Sequence, residues 1–132
     1  MRIRRSVERW FPMVGDPDDA EVLIKHLTPG ELQDISNKSM PQKYEYEPDK
    51  DGNLKPKLTV GVDSQISREL TFRACVKDWK NFFDEDDTPL PYSSDNVVRA
   101  LREIEGFIEF IEQCRNTLAE SIKEEQRGQE KN

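Results

Sequence analysis

The chain is poor in the residues that usually carry chemistry. Its 132 residues include one histidine, His26, and two cysteines, Cys75 and Cys114. His26 has no Ser, Cys or carboxylate around it in a recognised catalytic arrangement, so a structural or exposed histidine is expected. The cysteines form no CxxC pair and have no histidine at zinc-ligand spacing. Reduced, packed thiols are expected; a disulfide between their two predicted helices is allowed but not required. The six glycines are dispersed, so no loop is built to cradle a phosphate. No apolar run approaches the roughly 18 residues of a membrane span. The positive N-terminus has no apolar stretch behind it, as a signal peptide would. No catalytic constellation stands out among these features.

Positive charge is also scarce. Asp and Glu outnumber Lys and Arg by 27 to 20, giving a net charge of −7. That balance opposes nonspecific binding to nucleic acid or to an anionic membrane. Arg2-Ile3-Arg4-Arg5 is the local exception. It reads as a solvated tail, with a DNA-binding arm as its alternative.

An apolar content of 34% against 36% charged residues supports one core with solvated segments around it. The expected class is α+β and mostly helical. A small N-terminal antiparallel hairpin should precede a C-terminal bundle of three helices. A single domain is expected over residues 1–122. It divides into a strand–strand–helix part (1–39), a loop or hairpin (40–62) and a helical core (63–122). Residues 123–132 read as a polar flexible tail.

Along the chain, Val7 to Met13 reads as an edge strand, because Pro12 argues against a central place. Gly15 to Asp19 is a turn cluster, and Ala20 to Leu27 reads as a strand pairing back on 7–13. Thr28-Pro29-Gly30-Glu31 combines a cap residue, a first-turn proline and a glutamate three residues after the cap. This capping box opens a short helix from Pro29 to about Lys38. In 43–60, pairing Tyr44 with Leu58, Tyr46 with Pro56 and Pro48 with Leu54 sets apolar residues opposite each other. That register leaves Lys50-Asp51-Gly52 as a three-residue loop with a left-handed glycine. A flexible loop is the alternative there.

Seven of the eleven aromatics (Phe72, Trp79, Phe82, Phe83, Tyr92, Phe107 and Phe110) lie between Glu69 and Leu118, so the main core should form there. Helical period begins at Ser64. Ile66, Leu70 and Ala74 make one stripe; Phe72, Val76, Trp79 and Phe83 make another. Asp84 to Tyr92 must leave the helix, because Pro89 and Pro91 restrain the residues before them. Ser93, Ser94 or Asp95 then caps a helix carrying Val97, Val98, Leu101 and Ile104. Gly106 interrupts the period, and the last helix presents Phe107, Phe110, Ile111, Cys114, Leu118 and Ile122.

Three patterns invite a chemical reading. Asp84, Asp86 and Asp95 match the first, third and twelfth positions of a calcium loop. Pro89 stands where that loop needs glycine, so a solvated acidic turn fits better. Trp79, Phe82 and Phe83 have a helical core period and are followed by four acids, which disfavours a nucleic-acid stacking platform. On the last helix, Ile108 and Ala119 flank the inward stripe, which makes that helix a candidate docking face.

The run Cys75-Val76-Lys77-Asp78-Trp79-Lys80-Asn81-Phe82, followed by Asp84 to Ser93 and Asp95-Asn96-Val97, resembles the tail assembly chaperones of long-tailed bacteriophages. That family's pattern ends a helix on Trp, crosses an acidic turn, and passes a proline-x-proline-x-Ser/Thr step. It then starts a helix near an Asp/Glu-Asn pair and closes on an aromatic-rich helix, here Gly106 to Ile111. The likeness covers residues 68–120, and Leu27 to Leu32 suits the family's opening. Asp87 departs from it, standing where members often have glycine.

The resemblance implies a non-catalytic factor that binds the tape measure protein and tail-tube subunits during tail morphogenesis. It would work in the bacterial host cytoplasm and be absent from the mature virion. It would need no cofactor, nucleic acid or membrane, and self-association is left open. Ile108, Phe110, Glu112 and Leu118 are the expected partner contacts. Trp79, Pro89, Pro91 and Asn96 form the structural signature. The alternatives are a small metal-dependent hydrolase or nuclease using Asp84–Asp87, and a DNA-binding regulator using Arg2–Arg5.

Overall fold

The computed structural model describes residues 1–3, 5–40, 42–61 and 63–130, with backbone alone at 42–44, 58–60 and 129–130. In chain order the elements are β1 (Glu8–Pro12), β2 (Glu21–Lys25), α1 (Pro29–Lys38), β3 (Gln42–Pro48), β4 (Leu54–Val60), α2 (Ser64–Cys75), β5 (Val76–Lys80), α3 (Ser94–Glu103) and α4 (Phe107–Glu130). The class is α+β. Two compact units emerge, one formed by Met1–Leu27 with Phe72–Asn132, the other by Thr28–Thr71. Among the described residues no helix is long and apolar enough to cross a membrane.

In the first unit, β1, β2 and β5 form an antiparallel sheet in that order. Strand β1 is an edge, as Pro12 requires, and pairs Glu8 with Lys25 through to Pro12 with Glu21. Strand β2 alternates half-buried and buried residues, and Val22 and Ile24 are fully enclosed. Helix α4 packs against β2 and α3. It buries Phe107, Ile111, Cys114 and Leu118 at helical spacing, while α3 contributes Val97 and Ala100. Each large apolar side chain so enclosed is worth about 1.5–3 kcal/mol.

The expected helix through Trp79 and Phe83 is corrected. Helix α2 stops at Cys75, and the next five residues form β5, the second partner of β2. The register runs Glu21–Lys80, Val22–Trp79 and Leu23–Asp78, then slips, so that Ile24 faces Val76. That bulge puts an odd number of steps between two inward residues. Val76 and Trp79 are both buried, whereas Lys77 and Asp78 are exposed. A spacing of three on one face resembles one turn of helix, hence the helical period in the sequence.

Two further expectations resolve similarly. The polar tail expected from residue 123 is helical as far as Glu130. Gly106 does divide two helices, at a positive φ of 82° between α3 and α4.

The second unit holds α1, the β3–β4 hairpin and most of α2. Thr28 Oγ1 accepts from the Glu31 amide at 3.2 Å, and the Glu31 carboxylate accepts from the Thr28 amide at 3.1 Å. Asp63 caps α2 by accepting from the amides of Gln65 and Ile66. The hairpin pairs Tyr44 with Leu58, Tyr46 with Pro56 and Pro48 with Leu54. Gly52 takes a φ of +77°, so the hairpin and its left-handed glycine form as the sequence pattern implies.

Candidate partner-binding surface

The signature residues converge around β5. The Trp79 indole stacks on Phe82, with ring centres 4.2 Å apart and planes within 5°. Tyr92 meets Trp79 edge-on at 5.8 Å, and Phe82 meets Phe107 edge-on at 6.1 Å. Phe107 also meets Phe72 edge-on at 6.1 Å, so one aromatic chain joins β5, the proline step, α4 and the end of α2. Its polar tips are satisfied internally. Trp79 Nε1 donates to the Leu90 carbonyl at 2.9 Å, and the Tyr92 hydroxyl donates to the Val76 carbonyl at 2.7 Å. Burial raises the Tyr92 pKa, with Asp78 and Cys75 adding to the effect.

Asn96 holds the proline step to α3. Its side chain donates to the Pro91 carbonyl at 2.8 Å, and its amide donates to Ser93 Oγ, which caps the helix, at 3.0 Å. Pro89 forms the single bridge back to Phe83 that closes the acidic turn. The contacts of three members of this cluster were not legible in the sequence. Tyr92 and Leu90 lock Trp79 through contacts that only folding creates. Asn81 adopts a positive φ of 62° and donates from Nδ2 to the Asp19 carbonyl at 3.0 Å. Its one sequence signal was the tolerance of asparagine for left-handed backbone.

The acidic residues organise backbone. Asp84 Oδ1 accepts from the amides of Asp86 at 2.9 Å and Thr88 at 3.0 Å, and the Asp84 amide donates to the Thr88 carbonyl at 2.9 Å. The fourth residue, Asp87, has a φ of +57°. The hairpin loop Asp49 to Asn53 is built identically. Asp49 Oδ1 accepts from Asp51 and Asn53, the Asp49 amide donates to Asn53, and Gly52 is left-handed. At Asp16 to Ala20 part of the frame recurs, with Asp16 Oδ2 accepting from the Ala20 amide and Asp19 at a φ of +55°, while the Asp16 amide donates to the Met13 carbonyl. Asp87 thus occupies the conformation that glycine would supply. Among the described residues, no three His, Cys, Asp or Glu side chains are grouped to hold a metal ion.

The four expected contact residues on α4 have different environments. Leu118 is 1% exposed and belongs to the core, so it is unavailable to a partner in this fold. Ile108, Phe110 and Glu112 are half-buried. Ile108, Glu112, Arg115, Ala119 and Ile122 follow helical spacing one step around from the buried stripe, and all are half-buried. Glu112 and Arg115 pair across the middle of this second stripe at 3.6 Å, leaving apolar residues at both ends. Elsewhere, Arg2 and Arg5 are exposed, and Arg4 of the same run lies outside the described residues. His26 is half-buried, and its amide donates to the Val7 carbonyl at 2.8 Å.

No curated protein and no solved structure significantly matches the chain. A family profile does match, described as the YdaY prophage protein, and it spans residues 35–132. That span holds the hairpin, β5, the proline step and both C-terminal helices, well over half of the sequence, and so the chain belongs to the YdaY family of prophage proteins.

Proposed function

We propose that this prophage protein is a tail assembly chaperone, a non-enzymatic factor that binds the tape measure protein and tail-tube subunits while the tail is built. The observation that carries this reading is the second stripe of α4. Ile108, Ala119 and Ile122 keep part of their apolar surface in solvent beside a fully buried row. A helix that presents apolar surface beyond its core stripe offers a groove or ridge to another amphipathic helix. The net charge of −7 keeps a protein with such a face soluble. The resemblance over residues 68–120 supplies the partners, and membership of a prophage family supplies the biological setting. On this reading the protein acts in the host cytoplasm and does not persist in the virion.

The test is co-expression with the tape measure protein of the same prophage. The protein should keep that long helical chain soluble and co-purify with it. Ile108→Asp combined with Ala119→Arg should abolish co-purification while circular dichroism stays unchanged. A tape measure protein that remains insoluble and captures nothing would end the proposal.

A further inference from the structure

We infer that two copies of this protein associate through the outer edge of β3, joining their β3–β4 ribbons into one four-stranded antiparallel sheet. Among the described residues no third strand pairs with either edge of the ribbon. A two-stranded ribbon is marginal in water without a further partner. This one also leaves Tyr46 66% and Leu54 67% exposed.

The two edges are not equivalent. The Asp49 amide donates to the Asn53 carbonyl at 2.8 Å, which fixes the alternation of the ladder. Pairs 47–55, 45–57 and 43–59 bond inward, so the backbone groups of pairs 48–54, 46–56 and 44–58 point outward. Both hairpin prolines fall on outward positions and cost the ladder nothing. Pro56 sits in the middle of β4 and removes the central donor from that edge. Pro48 lies at the very end of β3, whose outer edge keeps the amides of Tyr44 and Tyr46. The outward donors of β4 are interrupted at Pro56, whereas those of β3 run unbroken from Gln42 to Tyr46, so β3 is the better edge for strand addition.

An edge that meets itself does so antiparallel about a two-fold axis. With the axis at Tyr44, outward positions 42, 44 and 46 of one copy meet 46, 44 and 42 of the other. Position 43, a lysine, then stands opposite position 45, a glutamate, and the pair occurs twice by symmetry. With the axis one residue later, Glu45 would oppose Glu45. The charge order Lys-x-Glu therefore selects the first register, and it makes this strand its own complement.

Sedimentation velocity of the full chain across a wide concentration range tests the inference. A monomer–dimer equilibrium is expected. Tyr46→Pro removes one outward amide without touching an inward bond and should weaken association at least tenfold, whereas Tyr46→Phe should not. Glu45→Lys should weaken it similarly, and adding Lys43→Glu should restore it. That rescue is informative even if the proline variant fails to fold, because single and double variants both carry Glu45→Lys opposite Lys57 inside their own hairpin. A monomer at every concentration overturns the inference, as does a dimer indifferent to both Tyr46→Pro and Glu45→Lys. A double variant no tighter than the single overturns the register. Self-association and tape measure binding are separate readouts, so either can fail alone.

Discussion

Trp79 donates its indole N–H to the carbonyl of Leu90, eleven residues further along the chain, at 2.9 Å. The bond joins an inward residue of β5 to the segment between the two prolines. It also gives a buried aromatic its one polar partner. Because Trp79 is 6% exposed, its indole N–H has little access to water if the Leu90 carbonyl is lost.

Replacing Trp79 separates these contributions. Trp79→Phe keeps a ring on Phe82 but leaves the Leu90 carbonyl without its donor, and should cost about 1–2 kcal/mol. Trp79→Ala removes the stack as well and should cost about 3–5 kcal/mol. Urea unfolding followed by circular dichroism reads both; equal losses would show that the stack contributes nothing, and a Trp79→Phe variant as stable as the parent would show the same of the hydrogen bond.

Asp84 tests the acidic turn as an architectural device. Asp84→Ala removes the acceptor for two backbone amides and should cost about 1 kcal/mol, comparable with losing a helix cap. Asp84→Asn keeps an oxygen in the same place and should recover most of that. If Asp84→Ala unfolds at the same urea concentration as the parent, the turn does not depend on its carboxylate.

Asp87 is the converse case. At a φ of +57° an L side chain is strained by about 1 kcal/mol, although aspartate tolerates this better than most. Asp87→Gly relieves the strain but loosens the unfolded chain, so its effect should be small and at most about 1 kcal/mol stabilising. Asp87→Val should destabilise by about 1–2 kcal/mol, because a branched side chain fits that region worst. Thermal melts of the pair should therefore move apart.

The thiols give a pH prediction. Burial pushes Cys75 from its ordinary 9.0 up to about 12, partly opposed by Arg115, and burial pushes Cys114 up to about 11. A raised thiol pKa means the folded chain holds its proton where the unfolded chain has lost it. The resulting stability is fully present below pH 9 and is lost as pH rises from 9 towards 12. The slope approaches about 1.4 kcal/mol per pH unit for Cys75. Urea midpoints should fall across that window, and Cys75→Ala should flatten the fall. Native thiols should also react with a disulfide reagent far more slowly than unfolded ones.

Where short-range chemistry settles the conformation, the sequence is a reliable guide. Thr28 and Glu31 are three residues apart and cap α1 whatever surrounds them. Opposed apolar residues and Gly52 set the β3–β4 register, because a slip by one would turn every side chain over. Ser93 follows the proline step and caps α3. The outward-facing edge of α4 was legible in part. Ile108 and Ala119 were visible as extra apolar positions, whereas Leu118, also expected as a partner contact, lies buried on the stripe that the helical period marks.

The sequence by itself determined the caps, the turns, the hairpin register and the helical stripe of α4, since each depends on residues within a few positions of one another. Tertiary structure alone decided that Val76–Lys80 is a strand. Strand β2 needs a hydrogen-bonding partner on its second edge, and a bulge lets Val76 and Trp79 face inward at a spacing that helix and strand share. Local pattern cannot distinguish those two conformations; the unpaired amides and carbonyls of β2, brought alongside from fifty residues away, can.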